Sequence, residues 1–196
     1  MATRTAPESL LLVQDLVNTL DIETGEDALT AEGGLAAFLE PQEPREPQEP
    51  DQPREPHQPQ EPQDLRELQE LREALRAVCL AHTVGTAVPE PAARALDRLL
   101  AAAPLVLAMP PDGDAALRPA PGLRGAAHLT ARIAAGIATA VADGTWKRLK
   151  ACEAYDCRWV FYDRSPGGRS RWCSMAVCGS RAKMRTYRAR RAEPDT

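Results

Sequence analysis

Residues 152–191 read CEAYDCRWVFYDRSPGGRSRWCSMAVCGSRAKMRTYRARR. Cys152, Cys157, Cys173 and Cys178 form two C-x4-C pairs separated by fifteen residues. Each pair can turn back on itself, and together the two can close a tetrahedron of thiolates around one zinc ion. Four protein ligands leave no open position, so the spacing predicts one structural zinc and not a catalytic one. Between the pairs, residues 158–165 alternate as a strand, with Trp159 and Phe161 on one face and Val160 and Tyr162 on the other. Asp163 to Gly168 reads as a turn and 169–172 as the returning strand of a β-hairpin, whose aromatic rings cover the metal. The second pair then opens a helix from Ser174 to about Arg191, with Val177, Met184 and Tyr187 spaced to pack on the hairpin. Knuckle, hairpin and basic helix make a treble-clef-like finger. A module this small has little core of its own, so metal binding should supply much of its folding free energy.

Charge is divided as sharply as cysteine. Residues 147–191 hold 13 of the chain's 24 Lys and Arg but only 3 of its 28 Asp and Glu, so a net charge of −4 hides a finger of +10 and a remainder of −14. Such a split points one end at a polyanion. Arg181, Arg185 and Arg188 follow i, i+4, i+7 on the last helix, and Lys183, Arg190 and Arg191 join them. With Arg169 and Arg171 ahead of the second cysteine pair, these eight are the expected nucleic-acid-binding residues.

Outward from the finger, the chain is helical, and the expected fold is mainly α with a small β-hairpin. Residues 8–20 place Leu12, Val13, Leu16, Val17 and Leu20 at helical spacing, with Glu8 in the first turn. Asn18 and Thr19 stand near its end, where they either close the helix through side-chain bonds to the backbone or, with Asp21, line a ligand pocket. A short helix is expected within 29–39, weakened at its start by Gly33 and Gly34. Residues 41–63 then carry proline at every third position, a composition that builds no core and suits polyproline II. This proline-rich tract reads as a disordered insertion, with a proline-recognising protein as the partner it would fit.

Helix resumes with Asp64 as its expected N-cap and Gly85 as its stop, placing Leu65, Leu68, Leu71, Leu75, Val78 and Cys79 on one face and Arg and Glu opposite. Cys79 reads as a buried free thiol, and His57, His82 and His128 are scattered. Residues 89–103 form another helix with Pro91 in its first turn, 105–109 and 115–119 a small hairpin, and 122–144 an Ala-rich helix ended by Gly144. This divides the chain into a helical domain, 8–145, interrupted at 41–63, and a finger, 146–191. There is no phosphate-binding loop, nucleophile elbow or His/Asp/Ser constellation, so the chain is not expected to be an enzyme. The apolar runs are too short to span a bilayer, and the start lacks a signal-peptide layout, so a cytoplasmic location with reduced thiols is expected. The Ala, Arg, Pro and Gly bias suits a GC-rich genome.

RWCSMAVCGSRAKMRTYRARR at 171–191 resembles the CGNR zinc finger of bacterial transcription regulators, and LVNTLD at 16–21 resembles the VNT motif of their N-terminal ABATE domain. The resemblance implies a zinc finger that binds DNA, behind a helical domain that senses a ligand or mediates assembly. Ser180 stands where the family usually has Asn, which puts in question only the contact that side chain would make. Read from the residues alone, three functions stay open: a DNA-binding regulator, an RNA-binding or ribosome-associated protein, and a protein-interaction adaptor with zinc as scaffold. A single finger has a small footprint, so a homodimer fits the first.

Overall fold

The computed structural model describes residues 4–40, 61–111 and 113–192. Helix α1 (Glu8–Val17) turns Leu10, Val13, Leu16 and Val17 inward. Helix α2 (Gly34–Leu39) is a single short segment that adds Leu35 and Leu39. Helix α3 (Glu61–Val84) is the long spine, touching α1 and, later in the chain, α4 (Glu90–Ala101), α5 (Gly125–Ala142), the single turn Trp146–Arg148 and β3 (Leu149–Ala151). Strands β1 (Leu105–Ala108) and β2 (Ala116–Pro119) pair antiparallel with Leu105 opposite Pro119 and rest on α5. The antiparallel partner of β3 is β4 (Val160–Tyr162), with Leu149 opposite Tyr162. A π-helical turn (Met175–Gly179) leads into the last helix, α6 (Ser180–Ala192).

The α1–α5 contact is close. A Cβ on Gly136 would stand 2.1 Å from the carbonyl oxygen of Ser9, so only glycine lets the two backbones approach this far. The main core runs from Leu10, Leu16, Leu71, Leu75, Leu129 and Ile133 straight into Leu149, Ala151, Val160 and Tyr162. The hairpin of the finger is therefore packed inside the helical core, and only the cysteine end projects from it.

Several sequence expectations change. Helix α3 includes residues 61–63, so Asp64 lies within it and does not cap it. Its carboxylate instead accepts the backbone N–H of Ala126 at 3.1 Å, supplying the N-terminus of α5 with the acceptor that Arg124 at the cap position does not provide. The proline tract otherwise lies outside the described residues, as does His57. Arg72 and Arg76 of α3 are buried, although periodicity puts them on the polar side. They are retained inside because carboxylates and carbonyls meet them there.

The hairpin also differs. Strand β4 pairs with β3, which precedes Cys152, and not with residues 169–172. The backbone N–H of Ser170 goes to the Asp163 carboxylate at 2.9 Å, so this stretch is tied down by a side chain and offers no regular ladder. Val160 and Tyr162 enter the main core, while Trp172 and Val177 pack beside the cysteines, so the cover of the site comes from outside the hairpin. Met184 and Tyr187 stand 50% and 54% exposed and do not pack on the hairpin. The π-helical turn accounts for this. One extra residue per turn rotates everything after it by about 100° relative to a continuous α-helix.

Candidate metal centre

The first cysteine pair sits in the loop between β3 and β4. The N–H of Cys152 bonds the carbonyl of Trp159 at 2.9 Å, continuing the strand pairing by one step. The N–H groups of Cys157 and Arg158 both reach the carbonyl of Ala154 at 3.1 Å, which folds the knuckle back on itself. Arg158 takes φ +53, a left-handed conformation uncommon for a side chain other than Gly or Asn. It is held there from both sides. Its guanidinium donates to the Glu153 carbonyl, and its own carbonyl accepts from buried Arg76 at 3.1 Å.

The second pair brackets the π-helical turn. The Ser174 hydroxyl accepts from the N–H of Val177 and caps this turn, and Cys178 lies buried at its far end. Ser180 donates to the Met175 carbonyl at 3.2 Å, a helix-local bond that spans the same turn. The side chain of Ser180 thus binds the backbone of the turn that leads into its helix. A Cβ on Gly179 would stand 3.0 Å from the Met175 sulfur, so the turn closes without room to spare.

The four Sγ atoms all lie within 4.8 Å of one another, with Cys157 to Cys173 at 3.7 Å and Cys173 to Cys178 at 3.8 Å. A zinc ion with sulfur at about 2.3 Å in tetrahedral geometry requires sulfur separations of about 3.8 Å. None of the four is in a disulfide. The donor set and its spacing therefore fit one zinc, held by all four thiolates, with no site left for a substrate. Hydrogen bonds from Cys157 and then Cys173 lower the Cys152 thiol, and the bond to Cys152 raises Cys157. Burial and then the charge of Cys152 raise Cys178. The cluster by itself favours one thiolate served by its neighbours' protons; four thiolates need the divalent cation. Cys79, which is fully buried elsewhere, is pushed up to about 12 by burial and is an inert core thiol.

Below the metal end, Lys150 and Asp163 form a buried ion pair at 3.0 Å. Lys150 also donates to the Gly168 and Ser170 carbonyls, and Asp163 accepts from the N–H groups of Ser165 and Ser170. Burial alone would raise the Asp163 carboxyl, but the bonds from Ser165, Lys150 and Ser170 outweigh it and hold it well below the usual range. A depressed carboxyl contributes stability that is present above its unfolded value of about 3.9 and is lost as pH falls through the folded one. Asp163→Asn strands the Lys150 charge and should cost roughly 3–5 kcal/mol at pH 7. Urea unfolding at pH 7 and pH 3 checks this: the variant should lose less on acidification than the parent, and equal losses would sink the assignment.

Asn18, Thr19 and Asp21 fall at the junction of the two parts. The Asn18 amide accepts from the N–H of Val160 at 2.8 Å and donates to its carbonyl at 2.9 Å, pairing with β4 as a neighbouring strand would. Gln14, one turn earlier, donates to the same carbonyl and accepts from Ala6 N–H at 2.8 Å. The Arg4 carbonyl accepts from Tyr162 N–H at 3.0 Å, so Arg4 lies along the same edge of β4 as Asn18, the edge facing away from β3. Thr19 donates to the Leu16 carbonyl and accepts from Arg72, which also pairs with Asp27 at 2.8 Å. Asp21 caps its own turn through the N–H groups of Glu23 and Thr24. These three residues also line a shallow depression with Trp159. Gln14, Arg72, Arg76, Lys150 and Asp163 were not foreseen. The only hint was a pair of arginines one helical turn apart, a pattern common on exposed faces.

The basic residues divide into two groups. Arg181 pairs with Glu23 of the helical part at 2.9 Å, Arg185 approaches Asp156 at 4.0 Å and covers the Tyr155 ring, and Arg171 forms a two-pronged pair with Glu153. Arg191 lies over the Tyr187 ring. Among the described residues no carboxylate pairs with Arg169, Lys183 or Arg188, and all three are exposed. The Arg190 side chain lies outside the described residues.

No curated protein matches the chain. Among protein families, the CGNR zinc finger matches residues 148–191, and ABATE, described as "Putative stress-induced transcription regulator", matches residues 11–144. The second match covers more than half of the 196 residues, and the zinc-fitting cysteines fall inside the first, so the chain belongs to the ABATE family and carries a CGNR zinc finger behind its family domain.

Proposed function

We propose that the chain is a DNA-binding transcription regulator of the cytoplasm, in which zinc fixes the base of α6 and α6 presents its cations to the phosphate backbone. The observation that carries this reading is the exposed, carboxylate-free trio of Arg169, Lys183 and Arg188 around a metal-fixed helix, on a chain that is acidic elsewhere. Arg171, Arg181 and Arg185 orient the helix and its surroundings through their ion pairs, and Arg191 extends the basic surface. The helical unit, 8–145 with its proline-rich insertion at 41–63, is the sensing or assembly part, and the depression beside Asn18, Thr19 and Asp21 is its candidate ligand site. The finger, 146–191, is the reading part. Two fingers in a homodimer would give the footprint that one lacks. A closed four-thiolate site carries no catalysis.

The test is affinity for duplex DNA as a function of salt. Log affinity should fall linearly with log salt, and Lys183→Ala and Arg188→Ala should each reduce the slope by about one while leaving the fold unchanged. A slope that neither substitution moves would favour the adaptor reading, and binding to a matched RNA alone would favour the ribosome-associated one.

A further inference from the structure

A groove of about 510 Å³ runs between the knuckle and α6, within the range of clefts that take small ligands, roughly 300–1,000 Å³. Trp172 and Tyr187 are on its walls, together with Arg171, Lys183 and Arg185. Tyr155 stands beside it, 71% exposed, with the Arg185 guanidinium 5.7 Å from its ring centre. Two further Arg–aromatic pairs flank it, Arg171 on Trp172 at 5.3 Å and Arg191 on Tyr187 at 5.7 Å. Three rings in or beside the groove thus each lie near an Arg guanidinium, and Met184 and Tyr187 face outward beyond the π-helical turn.

Phosphate binding explains the cations, and Trp172 also packs on the cysteine end, but neither accounts for the half-exposed ring of Tyr187 on the groove wall. In a duplex both faces of each base are covered by stacking, so an exposed tyrosine finds no partner there. An unpaired base offers its face to an aromatic ring, and its flanking phosphates suit neighbouring Lys and Arg. Glu153 on the groove wall is already paired with Arg171, so it does not oppose an anion there.

We infer that this groove receives an unpaired nucleotide of a single-stranded nucleic acid, its base against Tyr187 and Trp172 and its phosphate against Lys183. The inference rests on the nucleic-acid-binding reading and specifies which form of the polymer the finger takes. The phosphate contacts of α6 serve duplex and single strand alike; the exposed face of Tyr187 serves only the single strand.

The test uses the full zinc-loaded chain and fluorescence anisotropy at one salt concentration, with labelled dT12, U12 and a mixed-sequence 12-base-pair duplex as probes. At least one single strand should bind more tightly than the duplex, and the comparison of dT12 with U12 tells whether DNA or RNA is the source. Tyr187→Ala should weaken that strand about tenfold and leave the duplex within about twofold, whereas Tyr187→Phe should retain binding. Tyr187 is half exposed, so neither variant disturbs the core. Duplex binding at least as tight as both single strands, or an equal loss on all probes in Tyr187→Ala, overturns the inference and leaves the duplex reading standing. Binding to none of the three overturns both.

Discussion

Cys173→Ser, or removal of zinc by a chelator, should melt α6 and the π-helical turn while the helical core and its β3–β4 hairpin stay folded. The metal end has only Cys152, Ala154 and Cys178 fully packed, with Trp172 and Val177 partly so. Helix α6 has 13 residues, a length that is marginal for an isolated helix in water. Among the described residues, the ion pairs that hold α6 are the exposed one with Glu23 and the long contact with Asp156, both screened by solvent and weak. Against these stands a metal contribution of about 10–16 kcal/mol in small finger peptides. Leu149, Ala151, Val160 and Tyr162, by contrast, are anchored in the main core and do not depend on the ion. Amide hydrogen exchange should therefore show protection lost over residues 173–192 and kept in β3, β4 and α3. Global unfolding of the metal-free chain, or unchanged protection in α6, would contradict this division.

Arg76→Ala should destabilise the whole chain by roughly 3–5 kcal/mol, more than any surface arginine. Its guanidinium is buried and donates to the Val17 carbonyl at 2.8 Å, the Arg158 carbonyl at 3.1 Å and the Glu73 carboxylate at 3.0 Å. One side chain thus joins the end of α1, the spine helix and the exit of the zinc knuckle. Truncation leaves buried carbonyls without a donor. Asn18→Ala acts on the same junction but should cost less, about 1–3 kcal/mol, because Gln14 still serves the Val160 carbonyl and only the N–H loses its partner. Urea denaturation gives both values. The double variant should fall short of or exceed the sum of the singles, since both substitutions release the same edge of the finger. Strict additivity would mean that the two contacts are independent.

The ease with which parts of this architecture could be read follows the range of the interactions. Two C-x4-C pairs are local patterns, and so are the leucine periodicities of α1 and α3; both are visible in a window of a few residues. The link from Asn18 to Val160 spans 142 positions and uses a side chain in the role of a strand, so no local pattern encodes it. Asp64 has the right chemistry for a helix cap, but the helix it caps begins about 60 residues later. Arg72 and Arg76 look like members of a solvated face until Asp27, Val17 and Arg158 are brought around them. The outward turn of Tyr187 depends on one extra residue in the turn holding Cys178, which a pattern assuming uniform α-helix cannot register.

The strand partnership at Val160 also bears on how such a protein can be recombined. A finger cut at residue 146 and fused to another carrier would keep its four thiols, yet it would present Leu149, Val160 and Tyr162 to water and leave an edge of β4 unpaired. Any new host would have to bring its own amide in the place of Asn18 and its own donor in the place of Arg76. Finger and carrier are therefore heritable as a pair, and shuffling one without the other produces a sticky fragment and not a portable module.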